Sequence, residues 1–455
     1  MMTRRIGEQQ KLELVMLEQL VKPDHLLRKI KKHINFDFIY DLVREFYSED
    51  MGRPSIDPVV LFKMSLLQAL YGISSERRLV DEVHHNMAYR WFLGYGLTEV
   101  IPDHSVFSYN RKQRFEESSV YEEIFNEIVL MAIGKGLVKG KIFYTDSTHI
   151  RANASNSKYE NKEDEEIITE DESLLTLINE KRESKGQKPL KPAEEKLITK
   201  SKKVSKTDPD SGYMHRDRKP VGFYHLLHGT VDSMHNIMLG IHVTPGNVHD
   251  ATVYVDNLDH IFESYEIIPK YVGADAGYFN LNVLEELSER NLIPVIGPKR
   301  YGGKKGKKSK YWFEYFPEED FYKCFEGQIL TYKTTTRQGY VEYESDPKIC
   351  INCPQREKCL YENKETMTIS DCKTKIIRRH VKEYYADEVR AFMKTEKGKS
   401  LYKRRKETIE RIFADMKELC GIRYAHYRGS EGVKAQALIT ATALNIKKIA
   451  TILSK

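Results

Sequence analysis

Residues 141–151 read KIFYTDSTHIR, and the fold turns on how that stretch is interpreted. Ile142, Phe143 and Tyr144 form a short run of β-branched and aromatic types, with Gly136 and Gly140 punctuating its approach. The pattern predicts a buried strand of about 5–6 residues. Asp146 then falls where the strand leaves the core, with Ser147, Thr148 and His149 just beyond. A carboxylate there is rigidly held yet open to solvent, which suits a divalent-metal ligand. Capping of the following turn is the plainer use. Two later acids shift the balance.

The first is Asp275, in YVGADAGY at residues 271–278. Ile267, Ile268, Tyr271 and Val272 predict another short buried strand ending in an aspartate, and Gly273 and Gly277 leave room for close approach. The second is Glu410, within residues 400–420. Ile409, Ile412, Phe413, Met416 and Leu419 recur at helical spacing and predict one amphipathic helix. Glu410 lies at the edge of that stripe, with Lys403, Lys406 and Lys417 on roughly its own face. Apart from Glu407, one acid sits among bases, whereas a solvated face usually mixes both signs at i,i+4. Such a face suits a site that metal and phosphate both visit. Three carboxylates on two strands and a late helix can hold two Mg²⁺ ions about 3.5–4 Å apart and drive in-line phosphoryl transfer. Hard oxygen ligands favour Mg²⁺ or Mn²⁺ over zinc.

Four blocks, YTDST (144–148), PGNVHDA (245–251), GADAGY (273–278) and ETIERIF (407–413), follow in this order. Together they resemble bacterial insertion-sequence transposases of the DDE class, cut-and-paste enzymes with an RNase H-like catalytic domain. The resemblance extends over most of the chain after residue 100. It implies that Asp146, Asp275 and Glu410 are catalytic ligands of two Mg²⁺ or Mn²⁺ ions. It also implies a homodimer on double-stranded DNA that binds the element's terminal inverted repeats, cleaves there and transfers the freed strands to target DNA. Family members often carry Tyr-x2-Arg-x3-Glu-x6-Lys around the glutamate. Here Glu410 and Lys417 keep that spacing, while the upstream positions hold Lys403 and Lys406, with Tyr402 and Arg405 nearby. Asn247, His249 and Asp250 are expected to shape the site without ligating. A metal-dependent nuclease that cuts without strand transfer would use the same acids; a non-catalytic DNA-binding relic would not need all three intact.

Composition agrees with a soluble, nucleic-acid-handling protein. The chain has 455 residues, 40% hydrophobic and 31% charged, with a net charge of +6, so more than one domain and only a mild basic tilt are expected. MMTRRIGEQQ at the start lacks the apolar core of a signal peptide, and no uninterrupted apolar run suggests a membrane span. A cytoplasmic, nucleoid-associated protein is expected.

The expected fold is α/β: an RNase H-like mixed sheet flanked by helices, preceded by an all-α domain and interrupted by an insertion. Residues 1–115 read as helical. Asp57-Pro58 starts one helix running to Tyr71, and Ser75 starts another after a turn at Gly72, a helix-turn-helix-like pair. Arg77, Arg78, Arg90, Arg111, Lys112 and Arg114 are its candidate phosphate contacts. Residues 116–297 hold the first part of the catalytic domain. Within them 155–220 reads as a charged surface insertion, helical around Leu174 to Ile178 and otherwise mobile. Three strands, a helix, a strand, a helix and a strand complete the layout. The second part, 399–455, carries the Glu410 helix, a basic-aromatic segment with Arg423 and Arg428, and an apolar last helix packed on the sheet.

Between the two parts, residues 298–398 form the insertion. Lys304, Lys305, Lys307 and Lys308, with Lys299, Arg300 and Lys310 and interleaved glycines, make a flexible basic loop that can follow phosphates without reading bases. Cys324, Cys350, Cys353 and Cys359 contain one Cys-x2-Cys pair and suggest a structural Cys₄ zinc site, Cys372 being a possible substitute ligand. Reduced, partly buried thiols are the alternative. Lys406 and Lys417 complete the set of expected DNA contacts.

Overall fold

The computed structural model describes residues 14–48, 55–115, 118–215, 221–299, 309–360 and 374–455. The chain divides into two compact units. One comprises Met1–Asn161, Lys203–Gly273 and Lys403–Lys455; the other comprises Lys162–Lys202 and Ala274–Tyr402.

The first unit opens with helices whose ends follow from local chemistry. The Asp57 carboxylate accepts from the amides of Val59 and Val60, and Pro58 takes the first helical position, where no N–H is needed, so Pro58–Leu70 starts as the sequence predicts. Gly72 turns the chain at φ +61°, and a Cβ there would also lie 2.5 Å from the Leu419 carbonyl oxygen. The Ser75 hydroxyl then accepts from the Arg78 amide and opens the helix Glu76–His85. A longer helix, Val120–Gly134, leads into the sheet.

Strands follow in chain order as β1 (Ile142–Arg151), β2 (Tyr159–Ile168), β3 (Lys196–Ser205), β4 (Gly212–Met214), β5 (Gly222–Asp232), β6 (Met238–Pro245) and β7 (Tyr271–Ala274). The helix Tyr254–Tyr265 stands between β6 and β7; the helix Leu281–Glu289 and β8 (Ile293–Ile296) come after, the element order expected from sequence. In the first unit's sheet β5 is the spine, buried along its whole length. It pairs antiparallel with β1 on one side. Its other edge is shared end to end, β4 taking Gly222 to Tyr224 and β6 taking His225 to Val231. β7 lies parallel to β1, pairing Tyr144 with Gly273 and going no further along β1. β1 is thus longer than expected: Asp146 lies inside the strand, opposite Gly229, instead of at its end. It is nonetheless past the last residue that pairs with β7.

The last helix, Ser430–Ile452, is buried on nearly every side and packs against β6, Val120–Gly134, Pro58–Leu70 and Leu26–His33. It covers the sheet, as expected, and also ties the N-terminal helices to it. Its fully buried Asn445 accepts from the Met238 amide at 2.9 Å and donates to the Met238 carbonyl at 2.8 Å, satisfying backbone groups at the start of β6. Among the described residues no helix is long and apolar enough to cross a membrane.

The second unit is built on a five-stranded antiparallel sheet of β9 (Glu314–Phe316), β10 (Phe321–Lys323), β11 (Ile329–Thr335), β12 (Tyr340–Ser345) and β13 (Ile376–His380), ordered β13-β12-β11-β10-β9. Its core gathers Phe313, Tyr322, Leu330, Val341, Tyr343, Cys359 and Ile377. The charged stretch around 155–220 is not the mobile insertion expected. Its helix Glu172–Ser184 docks on this sheet, with Arg182 donating to the Thr335 carbonyl at 2.8 Å and Lys181 and Lys185 meeting Asp320 at 2.8 and 2.9 Å. Its charge runs have a structural use as well. β2 is an acidic strand, β3 a basic one, and the two pair as a ribbon in which Lys200 meets Glu166 and Lys202 meets Asp164, each at 2.5 Å. Opposite charges across a strand pair favour this register, though such exposed pairs contribute only about 0.2–1 kcal/mol each.

Candidate active site

Asp146 and Glu410 meet in the first unit through a third residue. The face of the β1–β5 pair that carries Asp146 is covered by the helix Ile409–Glu418, and the contact requires Gly229. A Cβ on Gly229 would lie 3.1 Å from two ring carbons of Phe413, on the same helix as Glu410. Ile409, Ile412, Phe413 and Met416 are buried as the stripe predicts, while Leu419 lies beyond the helix end and is exposed. Glu410 stands in the first turn, where the unpaired amide ends of a helix favour a carboxylate.

The single helix expected over residues 400–420 is broken in two. Glu396–Arg404 ends, a 3₁₀ turn spans Arg405–Glu407, and Thr408 leaves helical geometry at φ −107°, ψ −97° before Ile409–Glu418 begins. The buried Thr408 hydroxyl donates to the carbonyls of Arg404 and Arg405 and fixes the break. This break brings Arg405 back onto the acids. Its Nη1 lies 2.8 Å from Asp146 Oδ2 and its Nη2 lies 2.7 Å from Glu410 Oε1. Sequence reasoning did not place Arg405 in the site. The available signal was the intact Tyr402-x2-Arg405 spacing, set one residue further from Glu410 than in the family pattern; the 3₁₀ turn accommodates that extra residue.

Asp275 follows β7 directly. Each of the parallel strands runs two residues past the Tyr144–Gly273 pair to an aspartate, Asp146 on β1 and Asp275 beyond β7. The Asp275 carboxylate accepts from the Gly277 amide at 2.7 Å and caps the short turn Ala276–Tyr278. His249 likewise caps a turn, its Nδ1 accepting from the Ala251 amide at 3.2 Å. Among the described residues no group of three or more His, Cys, Asp or Glu is placed to hold a metal ion. Asp146 and Glu410 are bridged by the Arg405 guanidinium.

The cysteines of the second unit gather without closing into the tetrahedral site expected. The Gln328 amide points at Cys324 Sγ at 3.3 Å, and the Cys350 thiol is turned to the Ser345 hydroxyl at 3.0 Å. Cys359 is buried in the sheet's core. Burial pushes its thiol up to about 11, with Lys375 opposing and the neighbouring Cys350, Cys324 and Cys353 adding to the rise. The sulfurs of Cys324 and Cys350 thus face different partners. Cys372 lies outside the described residues.

The basic candidates separate into two groups. Arg77 and Arg78 are exposed, with Arg77 donating to His104 at 3.0 Å and Arg78 paired with Glu82 at 3.4 Å. Lys406 and Arg423 are exposed too, and Lys417 lies half-buried in the last turn of the Glu410 helix. Arg90 and Arg111 are structural instead. Arg90 is 5% exposed and donates to the carbonyls of Gly96 and Glu99. Arg111 stacks 3.8 Å from the centre of the Tyr427 ring and lies 4.0 Å from Glu76. The side chain of Lys112, and Lys304, Lys305, Lys307 and Lys308, lie outside the described residues.

Residues 15–113 match the family described as a transposase domain (DUF772). Residues 323–450 match the family described as a transposase DDE domain. No protein of curated function matches the chain. Among solved structures, the Mos1 mariner paired end complex with Mn aligns over 59% of this chain and 65% of that one, at 11% identity and a TM-score of 0.16. The chain thus spans less than two thirds of that protein's length, and a likeness so weak adds nothing to the argument.

Proposed function

We propose that this chain, which matches a transposase domain over residues 15–113 and a transposase DDE domain over residues 323–450, is a DDE transposase that binds the ends of an insertion sequence, cleaves DNA there and joins the freed strands to a target. The observation that carries the reading is the meeting of Asp146 and Glu410, far apart in sequence, on one cation. The strand order β6-β5-β1-β7, with the Glu410 helix over the face that carries Asp146, supports an RNase H-like catalytic core.

Asp146, Asp275 and Glu410 would hold two Mg²⁺ or Mn²⁺ ions. Asp146 and Glu410 fit such an ion: their donors are hard carboxylate oxygens, and a guanidinium already bridges the two as a stand-in cation. Bound there, the ions would activate the attacking water or 3′-hydroxyl and stabilise the leaving oxygen. The chain's own part is positioning. β1 fixes Asp146 by pairing with β5, the helix start fixes Glu410, and the exposed Lys403 and Lys406 present charge to a phosphate backbone beside them. Arg77 and Arg78 would contact the element's ends, and the basic loop of Lys304, Lys305, Lys307 and Lys308 would neutralise backbone phosphates, as would Lys417 and Arg423. Cys324, Cys350, Cys353 and Cys359 would hold a structural zinc ion. The amide aimed at Cys324 Sγ suits a thiolate.

The test uses purified protein, Mg²⁺ and a duplex carrying the inverted repeats that flank the gene. Cleavage followed by joining to a target duplex is expected. Asp146→Asn should abolish both and leave end binding intact. Cleavage without joining identifies a nuclease, and end binding without cleavage identifies a relic.

A further inference from the structure

We propose that Arg405 is the resident counter-ion of the Asp146–Glu410 pair. It neutralises the two acids and holds their spacing while no divalent ion is bound, and it releases them when a DNA phosphate takes over its guanidinium. The inference rests on the reading of these acids as metal ligands and adds what makes that site conditional.

Charge and space both argue for it. A guanidinium keeps its positive charge at any pH a protein survives. With one donor nitrogen on Asp146 and another on Glu410, it occupies the position an ion bridging the two acids would need. An approaching divalent ion meets the Asp146–Glu410 pair at net charge −1, not −2, and already filled. The contact is partly buried at one end and open at the other, side-chain exposure being 14% for Arg405 and 18% for Asp146 but 40% for Glu410. A partly buried pair is screened less than a surface one, so Arg405 is a real competitor, and the open end gives it a way out.

The backbone suits an exchangeable group. Arg405 is carried on the short 3₁₀ turn between two helices, so its side chain can be re-aimed without unwinding either. Lys403 and Lys406 flank it and are exposed. An incoming phosphate meets these charges first and is then beside Arg405, which matches phosphate with the same forked geometry it uses on the acids. Once Arg405 pairs with phosphate, the acids regain their full charge toward metal. DNA binding and metal binding therefore favour each other, and by linkage to the same degree in both directions.

The experiment titrates Mn²⁺ into the purified full chain and follows free Mn²⁺ by electron paramagnetic resonance, for wild type, Arg405→Gln and Asp146→Asn, each with and without a duplex of arbitrary sequence. Removing a positive charge in contact with the ligands should tighten Mn²⁺ binding by roughly tenfold or more in Arg405→Gln without DNA. The duplex should tighten it in wild type and leave Arg405→Gln unchanged. If wild type and Arg405→Gln bind Mn²⁺ equally and Asp146→Asn does not bind it, the acids are ligands and the role given to Arg405 is wrong. If neither wild type nor Arg405→Gln binds Mn²⁺ while both remain folded by circular dichroism, the metal reading fails and takes this inference with it. Should Arg405→Gln not fold, Arg405→Lys decides. A lysine keeps the charge but cannot bridge both acids in a fork, so tighter Mn²⁺ binding than wild type is expected and equal binding overturns the proposal.

Discussion

Gly273→Ala should destabilise the first unit out of proportion to the single methyl added. The new Cβ would lie 2.4 Å from Cδ1 and 2.6 Å from Cε1 of Tyr144, its partner across the β1–β7 pair. That is about 1 Å inside ordinary carbon–carbon contact. The ring has nowhere to go, since Tyr144 is fully buried and its strand is fixed by β5 on the other side. Overpacking of this kind costs about 1–3 kcal/mol, and the reduced freedom of the unfolded chain returns about 0.4–1 kcal/mol. A net loss of about 1 kcal/mol is expected, which for a unit of this size lowers the melting temperature by about 2–4 °C. Differential scanning fluorimetry on the whole chain reads the shift. Tyr144→Leu, made alone and with Gly273→Ala, supplies the control: leucine clears the space, so the alanine should cost at least about 1 kcal/mol less in that background. A Gly273→Ala protein that melts with wild type, or two substitutions whose effects simply add, would refute the argument.

Three further outcomes are expected. Asn445→Ala leaves the Met238 amide and carbonyl without partners in a fully buried place, and should cost about 2–4 kcal/mol in thermal unfolding, whereas Thr451→Ala on the same helix should cost far less. His228 is buried, with His242 and His149 adding to the effect, and its imidazolium is disfavoured down to a pKa of about 3. Its neutral form contributes stability fully present above about pH 6.5 and lost progressively as pH falls toward 3, an effect on the order of a few kcal/mol; a melting temperature that is flat between pH 7 and 4.5 would count against it. Metal analysis of protein purified without chelators should find one zinc per chain, lost in Cys353→Ser with the second unit's cooperative unfolding weakened and the first unit's unaffected; no zinc in the wild type removes that site.

The sequence by itself determined the local features. Asp57 and Ser75 each cap a helix with their own side chain, and β1, β5 and β6 followed by a helix, β7, a helix and β8 keep the order their apolar runs predict. These follow from hydrogen bonds and burial patterns that span only a few residues. The apolar stripe of the Glu410 helix was equally legible up to Met416. What the tertiary structure alone decided concerns partners distant in sequence. Arg90 and Arg111 look like their exposed neighbours until Gly96, Glu99, Glu76 and Tyr427 come to meet them. The acidic and basic runs around 155–220 look solvated because neither strand carries the signature of a partner that supplies the opposite charge. Arg405 joined the site for the same reason. Its neighbours along the chain are other bases, and only the break at Thr408 and the folding of the last helices against β1 bring Asp146 within its reach. A side chain's charge is written in the sequence, but which opposite charge neutralises it depends on separations that only the packed chain sets.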